Sequence, residues 1–232
     1  MIAVEICAST IRDVAVAMEA GADRVELCSV WSVGGITPNV VVVEAAAAMG
    51  MPVRALIRPR EGSFVHSSSE RSWAVEEAKV MLDCGAERVV VGALNASGTL
   101  DEAYLDAMVE AVGAEHLVWH RALDASADGA SDVVKLLDRH VHTVLSSGGA
   151  LRAADGVDTL SAYIAQGMNV VAGGGVRPQD VPTLMAIGVE GVHASCRTSS
   201  SEEGSPLFDT AVHLVDYDKV CDLVETVQPN EE

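Results

Sequence analysis

Strand-length apolar runs recur eight times along this chain, and most of them end in glycine or a polar residue. They are IAVEIC from Ile2, DRVELC from Asp23, VRALIR from Val53, RVVVG from Arg88, LVWHR from Leu117, TVLSS from Thr143, NVVAG from Asn169 and EGVHAS from Glu190. Their starts lie about 20 to 35 residues apart, the length of a strand, a loop and a crossover helix. Val and Ile dominate several runs, as strands buried on both faces require. The segments between them are Ala-rich with helical spacing, among them Thr10 to Ala20, Trp73 to Cys84, Leu100 to Val112, Ser131 to His140 and Tyr217 to Val227. Eight strand–helix units predict an α/β fold of the (β/α)8 TIM barrel type, with a parallel eight-stranded closed sheet. Active groups in such a barrel collect where strands end. Glu5, Glu26, Arg58, His120, Ser147, Gly173 and His193 are therefore candidates by position alone.

The alternation is uninterrupted, so the 232 residues read as one domain, 1–232, with a flexible Ser-rich loop at 198–205 and a frayed tail at 229–232. The chain is 49% hydrophobic but only 3% aromatic, so its core must be built from Val, Ala, Leu and Ile. A net charge of −19 argues against nucleic acid and against an acidic membrane surface as partners. Lysine occurs only at Lys79, Lys135 and Lys219. A salt-rich cytosol, which screens repulsion, and a GC-rich codon bias account for this acidic, lysine-poor make-up equally well. No basic leader or transmembrane-length apolar run is visible, and five cysteines without disulfide or zinc-ribbon spacing fit a reducing cytoplasm.

Strand parity sorts the candidates. Charged side chains are costly against apolar helices, so Glu5 with Cys7, and Glu26 with Cys28, are expected to face the barrel interior. Arg58 is then placed to neutralise Glu5 or Glu26, and His120, His193 and Ser195 are assigned inward as well. Two carboxylates, an arginine and two imidazoles at one rim serve general acid–base catalysis or the orientation of an anion, although an ion-pair layer that merely fixes strand register uses the same residue types. Gly148 and Gly149 follow strand six, and Gly173 and Gly174 follow strand seven. Their amides, with Ser147, Ser195, Arg60, Arg121 and Asp124, form a candidate cradle for a phosphate or carboxylate. Cys7 and Cys28 end adjacent strands with shared parity, so their thiolates are candidate ligands for soft Cu(I), against the plainer reading of two small buried hydrophobes.

EIC at Glu5–Cys7, GADRVELC at Gly21–Cys28, GGITP at Gly34–Pro38, IRPR at Ile57–Arg60, HRALD at His120–Asp124, LSSGG at Leu145–Gly149, GGGV at Gly173–Val176 and VHAS at Val192–Ser195 follow one another in order. In this succession the chain resembles the CutC copper homeostasis family. The resemblance implies a cytoplasmic single-domain barrel with a role in copper homeostasis and Cu(I) binding in some members. Two functions follow as expectations. One is copper handling through Cys7 and Cys28. The other is catalysis on a small phosphorylated or carboxylated metabolite, with Glu5, Glu26, His120 and His193 moving protons and Arg58 stabilising charge. Homo-oligomers are common for barrels of this size, but no surface patch in the sequence marks an interface.

Overall fold

The structure is a computed structural model that describes residues 2–201 and 211–228. Eight parallel strands close into a barrel: β1 (Ala3–Ala8), β2 (Arg24–Leu27), β3 (Val53–Leu56), β4 (Arg88–Val91), β5 (Leu117–Trp119), β6 (Thr143–Ser146), β7 (Asn169–Gly173) and β8 (Gly191–Ala194). β8 pairs with β1, with Glu5 opposite His193. Around the strands pack α1 (Ile11–Glu19), α2 (Val40–Ala48), α3 (Ser68–Asp83), α4 (Glu102–Val112), α5 (Gly129–Asp138), α6 (Val157–Ala165), α7 (Val181–Ala186) and α8 (Tyr217–Val227). No helix among the described residues is long and apolar enough to cross a membrane.

Residue parity divides the core into two layers. Val4, Ile6, Val25, Leu27, Val53, Ala55, Val89 and Val91 join the helices in the outer apolar layer. Cys7, Cys28, Leu56, Val90, Val118, Leu145 and Val171 fill the barrel interior. Burial of this kind contributes about 25 cal/mol per Å² of apolar area. Trp119, the largest fully buried side chain, stands edge-on to Tyr104 outside the barrel.

Helix starts follow capping chemistry. Ser67 caps α3, so that helix begins well before Trp73. Asn39 caps α2. The expected Ser-rich loop is partly a strand: β9 (Arg197–Ser201) pairs antiparallel with β10 (Ala211–Val215). β9 reads RTSSS, and that composition did not reveal the partner strand. Residues 202–205 of the expected loop and the tail 229–232 lie outside the described residues.

Asp13 ties this ribbon to the barrel. Its carboxylate accepts from the backbone amides of Ser9 and Thr10 at the start of α1, and from Val215 N at 3.0 Å at the end of β10. Arg197 completes the joint by donating to Cys7 O and His213 O. Asp13→Ala leaves three amide donors without their acceptor and Arg197 without its carboxylate, and is expected to cost about 3 kcal/mol or more in urea denaturation. A loss below about 1 kcal/mol contradicts this account.

Candidate functional site

At the C-terminal ends of the strands a cavity of about 870 Å³ opens into the barrel. Its floor carries Cys7, Glu26, Cys28 and His193, one wall Arg58, Phe64 and His120, and the other Arg121, Asp124, Gly149 and the turn from Gly174 to Arg177. Ser195 lies on the rim.

The floor is organised by Glu5. Its buried carboxylate accepts from Arg24 Nε at 2.6 Å, Arg54 Nη1 at 2.9 Å and His193 Nδ1 at 2.8 Å. Burial alone raises its pKa, but the His193 hydrogen bond and the charges of Arg54, His193 and Arg24 hold it well below the usual carboxylate range. The expected pairing with Arg58 does not form. Barrel stagger places Arg24 directly opposite Glu5, and Arg54 opposite Glu26. Arg58 sits four residues further out on the same parity, at the mouth. Arg24 and Arg54 were missed although they share the inward parity of Glu26 and Arg58. An arginine early in a strand reads as flank until the register is known.

Because ionised Glu5 can only accept, the His193 Nδ1 carries the proton and its Nε2 is left for the cavity side. Burial works against a charged His193, yet the field of Glu26 and the bond to Glu5 raise its pKa overall. Glu26 is buried with Oε2 unpartnered among the described residues. Burial pushes its pKa up to about 7, with Glu5 adding to the rise and His193 and Arg54 opposing it. One carboxylate is thus fixed as an anion and its neighbour is poised to exchange a proton.

Cys7, Glu26 and His193 each offer a donor atom within 4.8 Å of the others, so this trio can hold a metal ion. Cys7 Sγ also lies 3.5 Å from Cys28 Sγ. The contact with Cys28, and burial, raise the Cys7 pKa, whereas the same contact lowers that of Cys28. The Glu5–His193 bond is the arrangement by which a carboxylate orients a ligating imidazole.

His120 is buried on the wall. Its Nδ1 accepts from the amide of Ala122 at 3.0 Å, and its Nε2 has no partner among the described residues. Burial, with Arg58 adding, pushes its pKa down to about 3, so the ring is neutral. Gly92 is required beside it, since a Cβ there would fall 2.5 Å from the ring.

The strand-six part of the glycine-turn cradle is occupied from within. Asp124 accepts from the Ser147 amide and hydroxyl, from Ser146 Oγ and from Gly149 N, and pairs with Arg121 Nε at 2.7 Å. Gly148 N donates to Ser146 Oγ instead. The Gly148 backbone packs against Gly156, with a positive φ of 69°. Asp124 therefore plays the anion's part, and Ser147, Gly148, Gly149 and Arg121 are committed to loop architecture. Gly173 packs on Leu145 and His193 rather than on the cavity, whereas Gly174 lines it. Arg60 is also outside: it pairs with Glu70 at 2.6 Å and donates to the carbonyls of Glu61, Ser63 and Val65. The proximity of Asp124 to the strand-six turn is set by loop packing, which spacing did not disclose.

The raised Glu26 pKa fixes the sign of a pH effect. A carboxyl near 4.5 when unfolded and about 7 when folded stabilises the native state while protonated, and that contribution is lost as pH rises through 7. In metal-free protein, Glu26→Gln should therefore gain about 3 kcal/mol over the parent near pH 8 and little near pH 4. Denaturation curves across that range check it. A pH-independent difference contradicts the assignment.

Comparison with known proteins places this geometry. The CutC family matches residues 2–198. A CutC protein from Agrobacterium fabrum is 34% identical over 209 residues, covering 88% of this chain and 81% of the relative. The structure of CutC from Streptococcus agalactiae, provisionally described as a copper homeostasis protein, superposes with a TM-score of 0.77 at 25% identity, covering 83% of this chain and 98% of that one. A deoxyribose phosphate aldolase from Aeropyrum pernix shares the barrel at a TM-score of 0.62 but only 16% identity, covering 83% of this chain and 85% of that one, which is a likeness of fold alone. The sequence match spans every strand that builds the cavity, and the chain belongs to the CutC family.

Proposed function

We propose that this CutC protein is an enzyme that performs acid–base chemistry on a small organic anion held in the barrel mouth. The observation that carries the reading is Glu26: a buried carboxyl with a free oxygen, near neutrality in pKa, on the floor of an 870 Å³ cavity. Glu26 and His193 exchange the proton. Glu5, locked by two arginines, keeps the imidazole oriented and supplies the charge that supports its protonated form. His120 is a neutral donor on the wall, suited to polarising a substrate oxygen. The five free cysteines suit the reducing cytoplasm as its setting.

A thermal-shift screen against a pool of small carboxylic and phosphorylated metabolites tests this, because a ligand of the native state raises Tm by mass action. The expected hit is turned over by the wild type. Glu26→Gln should lower kcat by about a hundredfold or more, with a smaller effect on KM. A turned-over hit whose kcat is unchanged in Glu26→Gln removes the proposed role.

The sulfur pair favours a second reading, in which Cu(I) is cargo. Two sulfurs 3.5 Å apart subtend about 100° at an ion about 2.3 Å from each. That is a bent pair, which leaves room for a further donor from His193 or Glu26. Thiolates select Cu(I), and the donor set fits it. Anaerobic Cu(I) titration should show an affinity at least about a hundredfold weaker in Cys7→Ser/Cys28→Ser than in the wild type. Equal affinity removes these ligands. The two readings exclude each other in one molecule at one time, since a bound ion occupies the groups that would handle the proton.

A further inference from the structure

Arg58 is a charge without a counter-charge. Its side chain is 6% exposed, yet no carboxylate pairs with it among the described residues. Nη1 donates to Val33 O at 3.1 Å and Gly35 O at 2.8 Å, and Nη2 to Gly62 O at 2.9 Å. Nε is buried with no partner. The chain has 34 acidic residues against 15 basic ones. At the mouth Arg121 finds Asp124 and Arg197 finds Asp13; at the bottom Arg24 and Arg54 find Glu5, while Arg88 donates to Thr143 Oγ1 instead. Glu61 acts on it from a distance only, and burying a guanidinium with no acid in contact is costly unless an anion arrives to meet it.

The neighbours of Arg58 complete the picture. Phe64 lies 5.1 Å from its guanidinium carbon and 5.1 Å from the His120 ring, so one aromatic side chain bridges both groups. His120 cannot accept through Nδ1, which the Ala122 amide already uses, so its proton sits on Nε2, a second buried donor without a partner. All three residues line the cavity.

We infer that Arg58 and His120 form a receptor for the carboxylate of the cavity's ligand, with the Arg58 Nε and Nη2 edge as a two-pronged donor and His120 Nε2–H as a third. This deepens the proposed function by naming the substrate class, small monocarboxylic acids. It rests on that reading for catalysis but not for binding. A planar two-oxygen anion matches the guanidinium edge. Charge matches too: the receptor presents one positive charge, because His120 is neutral. A phosphate monoester carries about −1.5 to −2 near pH 7 and would leave charge uncompensated. In the strand-six turn, the Ser147 and Gly149 amides that would serve a phosphate are already filled by Asp124.

The test uses pyruvate and inorganic phosphate as probes at matched ionic strength, with the full chain labelled with 15N. Pyruvate is expected to shift one arginine Nε–H resonance saturably, the one absent from Arg58→Lys, and phosphate is not. Arg58→Lys keeps the charge but loses the fork, and should weaken pyruvate binding about tenfold or more. Arg121→Gln should not. If Arg58→Lys fails to fold, the wild-type titration still decides, because a pyruvate response without any arginine Nε–H shift overturns the receptor. Phosphate binding as well as pyruvate, undiminished binding by folded Arg58→Lys, or no saturable pyruvate response does the same. The catalytic reading fails separately: carboxylates that bind through Arg58 but are never turned over remove catalysis and leave the receptor in place.

Discussion

A carboxylate in the middle of an apolar barrel has to be answered, and the way Glu5 is answered governs the rest of this molecule. Isolated, it would neutralise or open the fold. Here Arg24 and Arg54 donate to one oxygen and His193 to the other. Arg54 and Arg24 reach on to Glu190, so the cluster spans β1, β2, β3 and the start of β8. A buried network of this kind is weak evidence for stability, because desolvation offsets much of its attraction. Its consequence is chemical. With Glu5 permanently ionised, one tautomer of His193 is selected and Glu26 is left as the group whose charge is unfavourable.

Charge along the cavity is therefore sorted by depth. Fixed ions lie at the bottom, titrating groups on the floor, and an uncompensated arginine near the mouth. Asp124 belongs to the same scheme. By occupying the strand-six turn it removes an amide nest that would otherwise compete for an anion, and it neutralises Arg121 in doing so. Arg58 is then the buried arginine of the cavity wall left without a contacting acid among the described residues. Membership of the CutC family goes with the barrel. It does not choose between proton transfer and metal cargo, because Glu26 and His193 are groups both would use.

Much of this was legible from residues alone. Val- and Ile-rich runs at regular spacing point to parallel strands because β-branched side chains favour a pleated sheet buried on both faces. The inward placement of Glu5, Cys7, Glu26, Cys28, His120 and His193 follows from the two-residue period of a strand. Helix α8 was bounded correctly at Tyr217 and Val227, since Asp216 caps it in the ordinary way. What failed was anything that depends on offset between strands. Parity says which way Arg58 points but not how high it stands. Only the stagger of the closed sheet puts Arg24 and Arg54 beside Glu5 and leaves Arg58 out. The same limit hid the Asp124 plug, formed by two loops more than twenty residues apart, and the pairing of β9 with β10.

By itself, then, the amino-acid sequence determined the number of barrel strands, the face each shows to the interior and much of the set of ionisable groups gathered there. Those properties are local: periodicity and the cost of burying charge act within a few residues. The tertiary structure decided which acid meets which base, which amides are already taken and which guanidinium is left without a partner. Those outcomes turn on contacts a few ångströms across between segments distant in the chain, and no local pattern encodes the register that brings them together.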